Sequence, residues 1–102
     1  MRAFDLSPAA LADVLDLAAF ASEYSDRARD TLTDGLFDAF ERIAAFPHLG
    51  RDRSDLADSL RSFAVNRLRA TVFYAATPDD RDAVRIVRVL RQERHVDPDA
   101  FL

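Results

Sequence analysis

The sequence predicts an α+β domain in which an antiparallel helical hairpin packs on one face of a small, mainly antiparallel sheet. Apolar residues recur at helical spacing in the first half of the chain, and runs rich in β-branched and aromatic residues follow in the second half. A short alternating run before the first helix adds an N-terminal strand. Because 49% of the 102 residues are hydrophobic, we expect one core and a single domain over residues 1–102.

The first strand and the first helix follow from the N-terminal residues. Apolar and polar residues alternate over residues 2–6. Ser7 then supplies a hydroxyl N-cap, and Pro8 suits the first helical position. The expected buried stripe of the helix consists of Leu11, Val14, Leu15, Ala18 and Ala21. Three more apolar side chains, Leu17, Phe20 and Tyr24, widen this stripe. We therefore expect the helix to be covered on more than one side.

The second helix begins after a break in the pattern at residues 24–26. Its stripe consists of Ala28, Leu32, Leu36, Ala39, Ile43 and Phe46, with Phe37 and Phe40 beside it. Pro47 ends the helix, because the residue before a proline is disfavoured in the helical region. Gly35 lies mid-helix. It either allows close approach of the first helix or is tolerated at a cost of about 1 kcal/mol in helix stability. Two surface ion pairs are expected, Glu23 with Arg27 and Asp38 with Arg42.

Three strands are predicted in the second half of the chain. They cover Ser62–Val65, Arg69–Ala75 and Val84–Leu90. The last strand is almost continuously apolar, which is typical of a central strand covered on both faces. Asn66 and Arg67 fit a hairpin turn between the first two strands.

The connections carry weaker signals. Gly50 suits a turn with positive φ after the second helix. Residues 55–60 form either one helical turn or a loop, and residues 78–82 form a polar loop. Asp97 and Pro98 start a last short turn.

Charge is distributed unevenly, and all fourteen basic residues are arginine. Residues 1–46 carry four arginines against nine acidic residues, whereas residues 60–95 carry eight arginines against four acidic residues. The net charge of −4 argues against a general nucleic-acid binder, because that affinity depends on neutralising phosphates. The basic second half still predicts a surface for an acidic partner.

Several classes of protein are not expected. The chain has no apolar run long enough to span a bilayer, no signal-peptide core at its start and no cysteine. These features predict a cytoplasmic protein without disulfides and without membrane association. His48 follows a helix end and is expected to be structural. With no P-loop, GxGxxG or HExxH motif and two separated histidines, no metal and no cofactor are expected.

Arginines are the candidate binding residues. Arg51, Arg53 and Arg61 flank the turn after the second helix, where a guanidinium can anchor an acidic tail or a phosphate. Their alternative role is to fix the loop through its acidic residues, which are Asp52, Asp55 and Asp58.

A second group of arginines lies within the last predicted strand and just after it. It consists of Arg85, Arg88, Arg91 and Arg94. On a strand, Arg85 and Arg91 share one face, and Arg88 lies on the other, where it must be paired or reach solvent. Arg91 and Arg94 are positioned to line a groove near the strand end. Arg69, at the start of the preceding strand, is a further candidate.

Some motifs are more specific than this general pattern. The sequence PHLGRDR at residues 47–53 is followed by Asp55 and Leu56 and then by LRSFAV at residues 60–65. Further on come VFY at 72–74 and IVRVL at 86–90. Together these pieces resemble the ParE side of the RelE/ParE superfamily, the small toxins of bacterial type II toxin–antitoxin modules. The resemblance runs from Leu6 to Arg94 and implies the same α+β fold.

The resemblance also implies a function. Toxins of the ParE type inhibit DNA gyrase and trap cleaved DNA without chemistry of their own, so the chain is not expected to be an enzyme. A cognate antitoxin, whose disordered C-terminal segment folds along the toxin, is the implied neutralising partner, and two toxins with two antitoxins is a common assembly. The residues expected to contact partners are Arg51, Arg53, Arg61, Arg69, Arg88, Arg91 and Arg94.

Two alternatives remain open. A RelE-like, ribosome-dependent mRNA endonuclease would use His95, Arg91 and Arg94 for proton transfer and phosphate stabilisation. The absence of lysine and the sequence pI near 5.0 argue against it. The other alternative is a non-toxic homologue that only binds an antitoxin. Asn66 and Leu68 support it, because they replace the glycine and the aromatic or histidine residue usual at these positions.

Overall fold

A computed structural model of the chain describes residues 3–77, 80–92 and 98–101. Its elements are β1 (Ala3–Leu6), α1 (Pro8–Ser22), α2 (Asp26–Ala45), β2 (Arg51–Asp52), β3 (Arg61–Val65), β4 (Ala70–Thr77) and β5 (Asp80–Arg91), with 3₁₀ turns at Asn66–Leu68 and Pro98–Phe101. The predicted α+β order is confirmed, and the two-residue β2 is an addition. Within these residues, neither helix combines the length and apolarity needed to cross a membrane.

The five strands form one sheet in the order β1-β5-β4-β3-β2. β1 runs parallel to β5, and the other three pairs are antiparallel, as a mainly antiparallel sheet requires. The core lies between the two helices and one face of this sheet. Its largest fully buried side chains are Phe40, Leu36 and Ile43 of α2, Tyr74 and Val72 of β4, and Val84, Ile86 and Val89 of β5.

The buried face of α1 differs from the predicted stripe. Ser7 caps the helix as expected, because its hydroxyl oxygen accepts a hydrogen bond from the Ala10 N–H at 3.0 Å. Ala10 and Val14 then face the core, whereas Leu11 and Leu15 remain 51% and 60% exposed. The prediction that α1 is covered on more than one side is therefore wrong for the described residues. The helix is apolar almost all round, so periodicity alone does not select its inner face.

Helix α2 follows its prediction more closely. Leu36, Ala39 and Ile43 are buried as expected, and Phe40 joins them, whereas Phe46 is exposed beyond the last turn. Neither predicted i,i+4 ion pair forms within the described part of the chain. Arg29 instead contacts its own helix neighbours, Asp26 and Asp30. Such pairs contribute only a few tenths of a kcal/mol, which is too little to order two long side chains.

Helix α1 forms hydrogen bonds with the edge of β5 beyond the end of β1. Ser7 donates its backbone N–H to the Ile86 carbonyl at 2.9 Å and its hydroxyl to the Val87 carbonyl at 2.8 Å. Asp13, two turns further on, accepts the Val89 N–H at 2.9 Å. The same carboxylate accepts two hydrogen bonds from the Arg88 guanidinium, at 2.7 and 2.9 Å. The backbone of β5 is thus satisfied beyond β1, and the helix is anchored to the sheet.

A β-bulge at Val87 changes which arginines share a face. Phe73 of β4 pairs with Arg88 and the next residue, Tyr74, pairs with Ile86, so Val87 is the extra residue. Arg85 and Arg88 consequently lie together on the face away from the helices, while Arg91 lies on the helix side. The predicted grouping of Arg85 with Arg91 is wrong for this reason. The expectation that Arg88 is paired is confirmed by Asp13.

Strand β5 is longer and less enclosed than predicted. It begins at Asp80, so residues 80–82 belong to the strand and not to the predicted polar loop, whose Pro78 and Asp79 lie outside the described residues. Val84, Ile86 and Val89 are buried against the helices, but Arg85 on the opposite face is exposed. Full cover on both faces is therefore wrong for this strand. The last 3₁₀ turn covers part of the open face, where Phe101 packs on Phe73 with ring centroids 4.8 Å apart.

The β3–β4 connection is longer than the predicted two-residue turn. A 3₁₀ turn covers Asn66–Leu68, and Arg69 follows it with φ 54° and ψ 40°, in the left-handed region. Arg69 is therefore the cap of the turn and not the first residue of the strand. The turn also explains Gly35, because a β-carbon there would lie 2.8 Å from the Leu68 side chain. The close approach at Gly35 is to this turn and not to α1.

Gly50 is required for packing and not for positive φ, which no glycine of the described chain adopts. A β-carbon at Gly50 would lie 2.5 Å from the Tyr74 hydroxyl and 2.8 Å from the Ser62 carbonyl oxygen. The Tyr74 hydroxyl accepts the Gly50 N–H at 2.7 Å and donates to the Pro47 carbonyl at 2.8 Å. Burial of this hydroxyl raises the pKa of Tyr74. The loop after α2 is thus closed onto β4.

Replacing Gly50 with alanine should lower the free energy of unfolding by about 2 kcal/mol or more, because a backbone carbonyl and a buried hydroxyl both obstruct the new methyl group. Gly35→Ala is the matched control. Its obstacle is a flexible leucine end, and alanine regains about 1 kcal/mol of helix propensity. Urea unfolding of both variants measures the difference. Equal losses would contradict the close packing at Gly50.

Replacing Asp13 with alanine should lower the free energy of unfolding by about 2–3 kcal/mol, because the mostly buried Arg88 guanidinium and the Val89 N–H lose their acceptor. Asp5→Ala is the control. It breaks the pair of Asp5 with Arg85, in which both side chains are about half exposed, and should cost less than about 1 kcal/mol. The two free energies come from urea unfolding. A loss at Asp13 no larger than that at Asp5 would show that α1 is not anchored by this carboxylate.

Candidate partner-binding surface

The first arginine group is used mainly to fix its own loop. Arg53 forms two hydrogen bonds to Asp55, at 3.1 and 3.2 Å, and Arg61 donates to the Gly50 carbonyl at 2.8 Å. The bond from Arg53 lowers the pKa of Asp55. Of the three predicted anchors, Arg51 alone has an exposed side chain without a hydrogen bond or ion pair inside the described residues. The alternative of loop fixation therefore describes Arg53 and Arg61.

Asp52 contributes to the same loop through a local turn. Its carboxylate accepts hydrogen bonds from the Ser54 hydroxyl and from the Ser54 N–H, and these bonds lower the pKa of Asp52. His48 lies nearby on the surface, beside Arg61 and the Tyr74 ring. The loop geometry is consistent with support of the sheet.

The second arginine group is dispersed by the fold. Arg88 is bound to Asp13 and also donates to the Ala100 carbonyl at 2.9 Å, so it joins α1, β5 and the last 3₁₀ turn. The hydrogen bonds that Arg88 donates to Asp13 raise the pKa of Arg88. Arg91 lies on the helix side, with its guanidinium carbon 4.5 Å from the centroid of the Phe20 ring. Arg94 and His95 lie outside the described residues.

Two predicted arginines meet a third that the sequence did not single out. Arg69 and Arg91 both line a cleft of about 510 Å³ at the α1–α2 end of the molecule, and Arg27 of α2 completes the arginine rim. We call this the tip cleft. Arg27 was expected only as an ion-pair partner of Glu23. The sequence signal that could have indicated Arg27 is the pair of aromatic residues that precedes it, Phe20 and Tyr24.

A further surface runs along the free edge of β3. β2 pairs only with Arg61 and Ser62, so no described strand lies beside Phe63–Val65 on that side. The exposed Ala64 lies on this edge. A groove of about 520 Å³ separates the edge from α2 and is lined by Asp38 and Arg42 of the helix, among others. We call this the β3-edge groove. It leaves backbone hydrogen-bonding groups accessible to a second chain.

The outer face of α1 carries exposed apolar side chains. Leu11 and Leu15 lie one turn apart and are more than half exposed. Adjacent apolar side chains that remain exposed are typical of surfaces that bind other molecules. Within residues 3–77, 80–92 and 98–101, no group of three or more potential metal ligands occurs. The tip cleft, the β3-edge groove and the outer face of α1 are the candidate binding surfaces, and all three border the helical hairpin.

The fold of the chain matches that of a known structure. A solved structure described as the chromosomal ParDE TA system from P. aeruginosa superimposes on this chain with a TM-score of 0.75, covering 91% of this chain and 98% of that chain. The sequence identity of the two is 13%, so this match shows a common fold. The α+β arrangement of a helical hairpin on a five-stranded mixed sheet is thus that of a known toxin–antitoxin structure.

The sequence gives the family. The model of the family described as the ParE toxin of the type II toxin–antitoxin system parDE matches residues 4–96. The chain belongs to this family. It is also similar to Toxin ParE3 of Caulobacter vibrioides, with 47% identity over 51 residues, which are 50% of this chain. The match spans about half of the length of that curated relative, 46%.

Proposed function

We propose that this protein is a toxin that inhibits DNA gyrase in the cytoplasm and is neutralised by a cognate antitoxin. In this proposal it acts by binding and not by catalysis: it holds gyrase with its DNA cleaved. The antitoxin supplies a disordered C-terminal segment that becomes ordered on the toxin. Two toxins with two antitoxins form the neutral assembly. Membership in the ParE family supports the assignment, and the surface of the helical hairpin supports the mode of binding.

The exposed apolar face of α1 is the observation on which the antitoxin assignment rests. An α-helix that is apolar on nearly all sides is normally enclosed, yet Leu11 and Leu15 point away from the core of this chain. A partner helix or extended segment along this face would bury both leucines. Burying one such side chain contributes about 1.5–3 kcal/mol, enough to offset part of the ordering cost of a disordered segment.

The β3-edge groove supports an extended segment beside the helical one. A chain added at Phe63–Val65 would extend the sheet by main-chain hydrogen bonds. The opposite side of the sheet offers no equivalent place along β5, because Ser7 and Asp13 already bond the backbone from Ile86 to Val89. The antitoxin is therefore proposed to approach from α1 and the β3 edge. Arg42 and the exposed Arg67 line that groove and complement an acidic segment.

The gyrase target is preferred to RNA cleavage on two grounds. The family match is to ParE, and the net charge of −4 disfavours long-range attraction to ribosomal RNA. Of the residues proposed for the ribonuclease, Arg91 alone is described, and its guanidinium stacks on Phe20. The gyrase assignment is accordingly the one to test first in cells.

Induced expression of the chain alone in a bacterium should arrest growth and induce the DNA-damage response while leaving messenger RNA intact. A reporter of DNA breaks and a message-integrity assay on the same culture measure both. Phe40→Asp is the control, because a charge in the core should unfold the protein and abolish arrest. Arrest with cut message and no damage response would contradict the gyrase target and support catalysis by His95 with Arg91 and Arg94. Harmless expression of the folded chain would support the non-toxic homologue.

Leu15→Glu should weaken antitoxin binding at least tenfold while changing the free energy of unfolding by no more than about 0.5 kcal/mol, because the side chain is exposed in the free toxin. Isothermal titration calorimetry with the cognate antitoxin measures the affinity. Leu49→Glu is the matched control: it makes the same substitution at an exposed leucine in the loop after α2. Equal affinities for the two variants would remove α1 from the proposed interface.

A further inference from the structure

The tip cleft combines an apolar floor with a positively charged rim. Its floor is formed by aliphatic side chains from both helices and the first 3₁₀ turn, namely Leu17, Ala21, Leu32 and Leu68. Phe20 and Tyr24 form one wall, and Arg27, Arg69 and Arg91 stand around the opening. None of the described residues that line the cleft is acidic. A volume of about 510 Å³ is enough to enclose a large side chain together with its neighbours on a peptide.

Arg91 is oriented before any partner binds. Its guanidinium carbon lies 4.5 Å from the Phe20 ring centroid, within cation–π distance. Phe20 is held in turn by Tyr24, with ring centroids 5.7 Å apart and planes at 69°. Stacking restricts the guanidinium while leaving its N–H groups available for a carboxylate. Part of the entropy cost of binding an anion at this position is thus already met.

Arg69 is held in a conformation that favours glycine. Its φ of 54° lies in the left-handed region, which costs a residue with a β-carbon stability. The backbone is fixed on both sides, because its N–H donates to the Asn66 carbonyl at 3.1 Å and its carbonyl accepts the Gln92 N–H at 2.9 Å. An arginine at this position destabilises the turn, whereas glycine would not. This difference indicates that the arginine side chain has a role of its own.

The three guanidinium groups have no ionic partner among the described residues. Arg29, Arg53, Arg85 and Arg88 all form ion pairs. In the same described part of the chain, Arg27, Arg69 and Arg91 form none. The cleft thus presents three cations around an apolar floor, and the complementary ligand carries carboxylates around an apolar group.

We propose that the tip cleft binds an acidic peptide segment of the antitoxin, which inserts one large apolar side chain between Leu17 and Leu68 and sets flanking carboxylates against Arg69 and Arg91. This inference rests on the proposed function for the source of the segment. A nucleic acid fits less well, because the floor is aliphatic and the two aromatic rings meet edge to face, without a parallel slot for a base. The cleft is then a determinant of which antitoxin the toxin accepts.

A direct test uses a fluorescein-labelled synthetic peptide of twelve residues with one central tryptophan between glutamates. Fluorescence anisotropy should give saturable binding to the wild-type chain. Peptides with alanine for the tryptophan, or with glutamine for the glutamates, should bind at least tenfold more weakly. Equal binding of all three peptides, or tighter binding of a labelled oligothymidylate, would overturn the proposal.

Variants of the toxin separate binding from folding. Arg91→Gln and Arg69→Gly should each weaken peptide binding at least tenfold, whereas Arg85→Gln, which removes the same charge elsewhere on β5, should change it less than twofold. Arg69→Gly should also leave Tm unchanged or raise it, since glycine accepts the left-handed backbone. A fall in Tm of Arg69→Gly together with unchanged peptide affinity would assign Arg69 to the fold alone and overturn the proposal.

The same variants distinguish this inference from the proposed function. Calorimetry with the full cognate antitoxin should show tight binding to the wild-type chain and at least tenfold weaker binding to the Arg69→Gly, Arg91→Gln double variant. Equal binding to both would overturn the tip-cleft proposal and leave antitoxin neutralisation intact. Failure of the wild-type chain to bind the antitoxin would overturn the proposed function and, with it, the source of the segment.

Discussion

The carboxylate of Asp13 is the group on which the arrangement of helices and sheet depends. β1 pairs with β5 only as far as Ile86, and β5 continues to Arg91 without a further strand on that side. Asp13 accepts the Val89 N–H and two N–H groups of Arg88, and Ser7 bonds the backbone between. A helix therefore satisfies a strand edge that would otherwise be open. It follows that α1 has one fixed orientation, with Leu11 and Leu15 facing outward.

This junction also closes part of one edge of the sheet. Where β5 extends beyond β1, hydrogen bonds from α1 occupy its backbone. On the other side, β2 is only two residues long, and Phe63–Val65 extend beyond it. The charges of the described residues differ along the helices: Arg85 and Arg88 near the junction are paired, whereas Arg27, Arg69 and Arg91 at the far end form no ion pair. Three arginines without an ion pair thus lie together at the tip of the helical hairpin.

Local sequence signals were sufficient for the order of the elements, for the Ser7 cap of α1 and for the core of α2. Ser7 caps its helix as predicted, and the 3.6-residue period of α2 places Leu36, Ala39 and Ile43 inside. They were insufficient where distant residues decide the outcome. The bulge at Val87 accompanies hydrogen bonds from Ser7, eighty positions away, and it reverses the expected grouping of the arginines. Gly50 is likewise required by Tyr74, which no local pattern indicates.

The candidate site was also predictable from the sequence only in part. The turn arginines were recognisable from their motif, but their role depended on bonds that the motif does not specify: Arg53 to Asp55 and Arg61 to the Gly50 carbonyl. The meeting of Arg69 with Arg91 depends on the antiparallel pairing of β4 with β5, which places the start of one strand beside the end of the other. The two residues are far apart in the sequence, and the register of β4 with β5 brings them close together.

A supercoiling assay with purified DNA gyrase tests the central claim, inhibition of gyrase by binding, most directly. The folded chain should inhibit supercoiling in proportion to its concentration and cause cleaved plasmid to accumulate, and equimolar antitoxin should reverse both effects. Full supercoiling activity in the presence of a molar excess of folded, monodisperse protein, with no cleaved plasmid, would contradict the account.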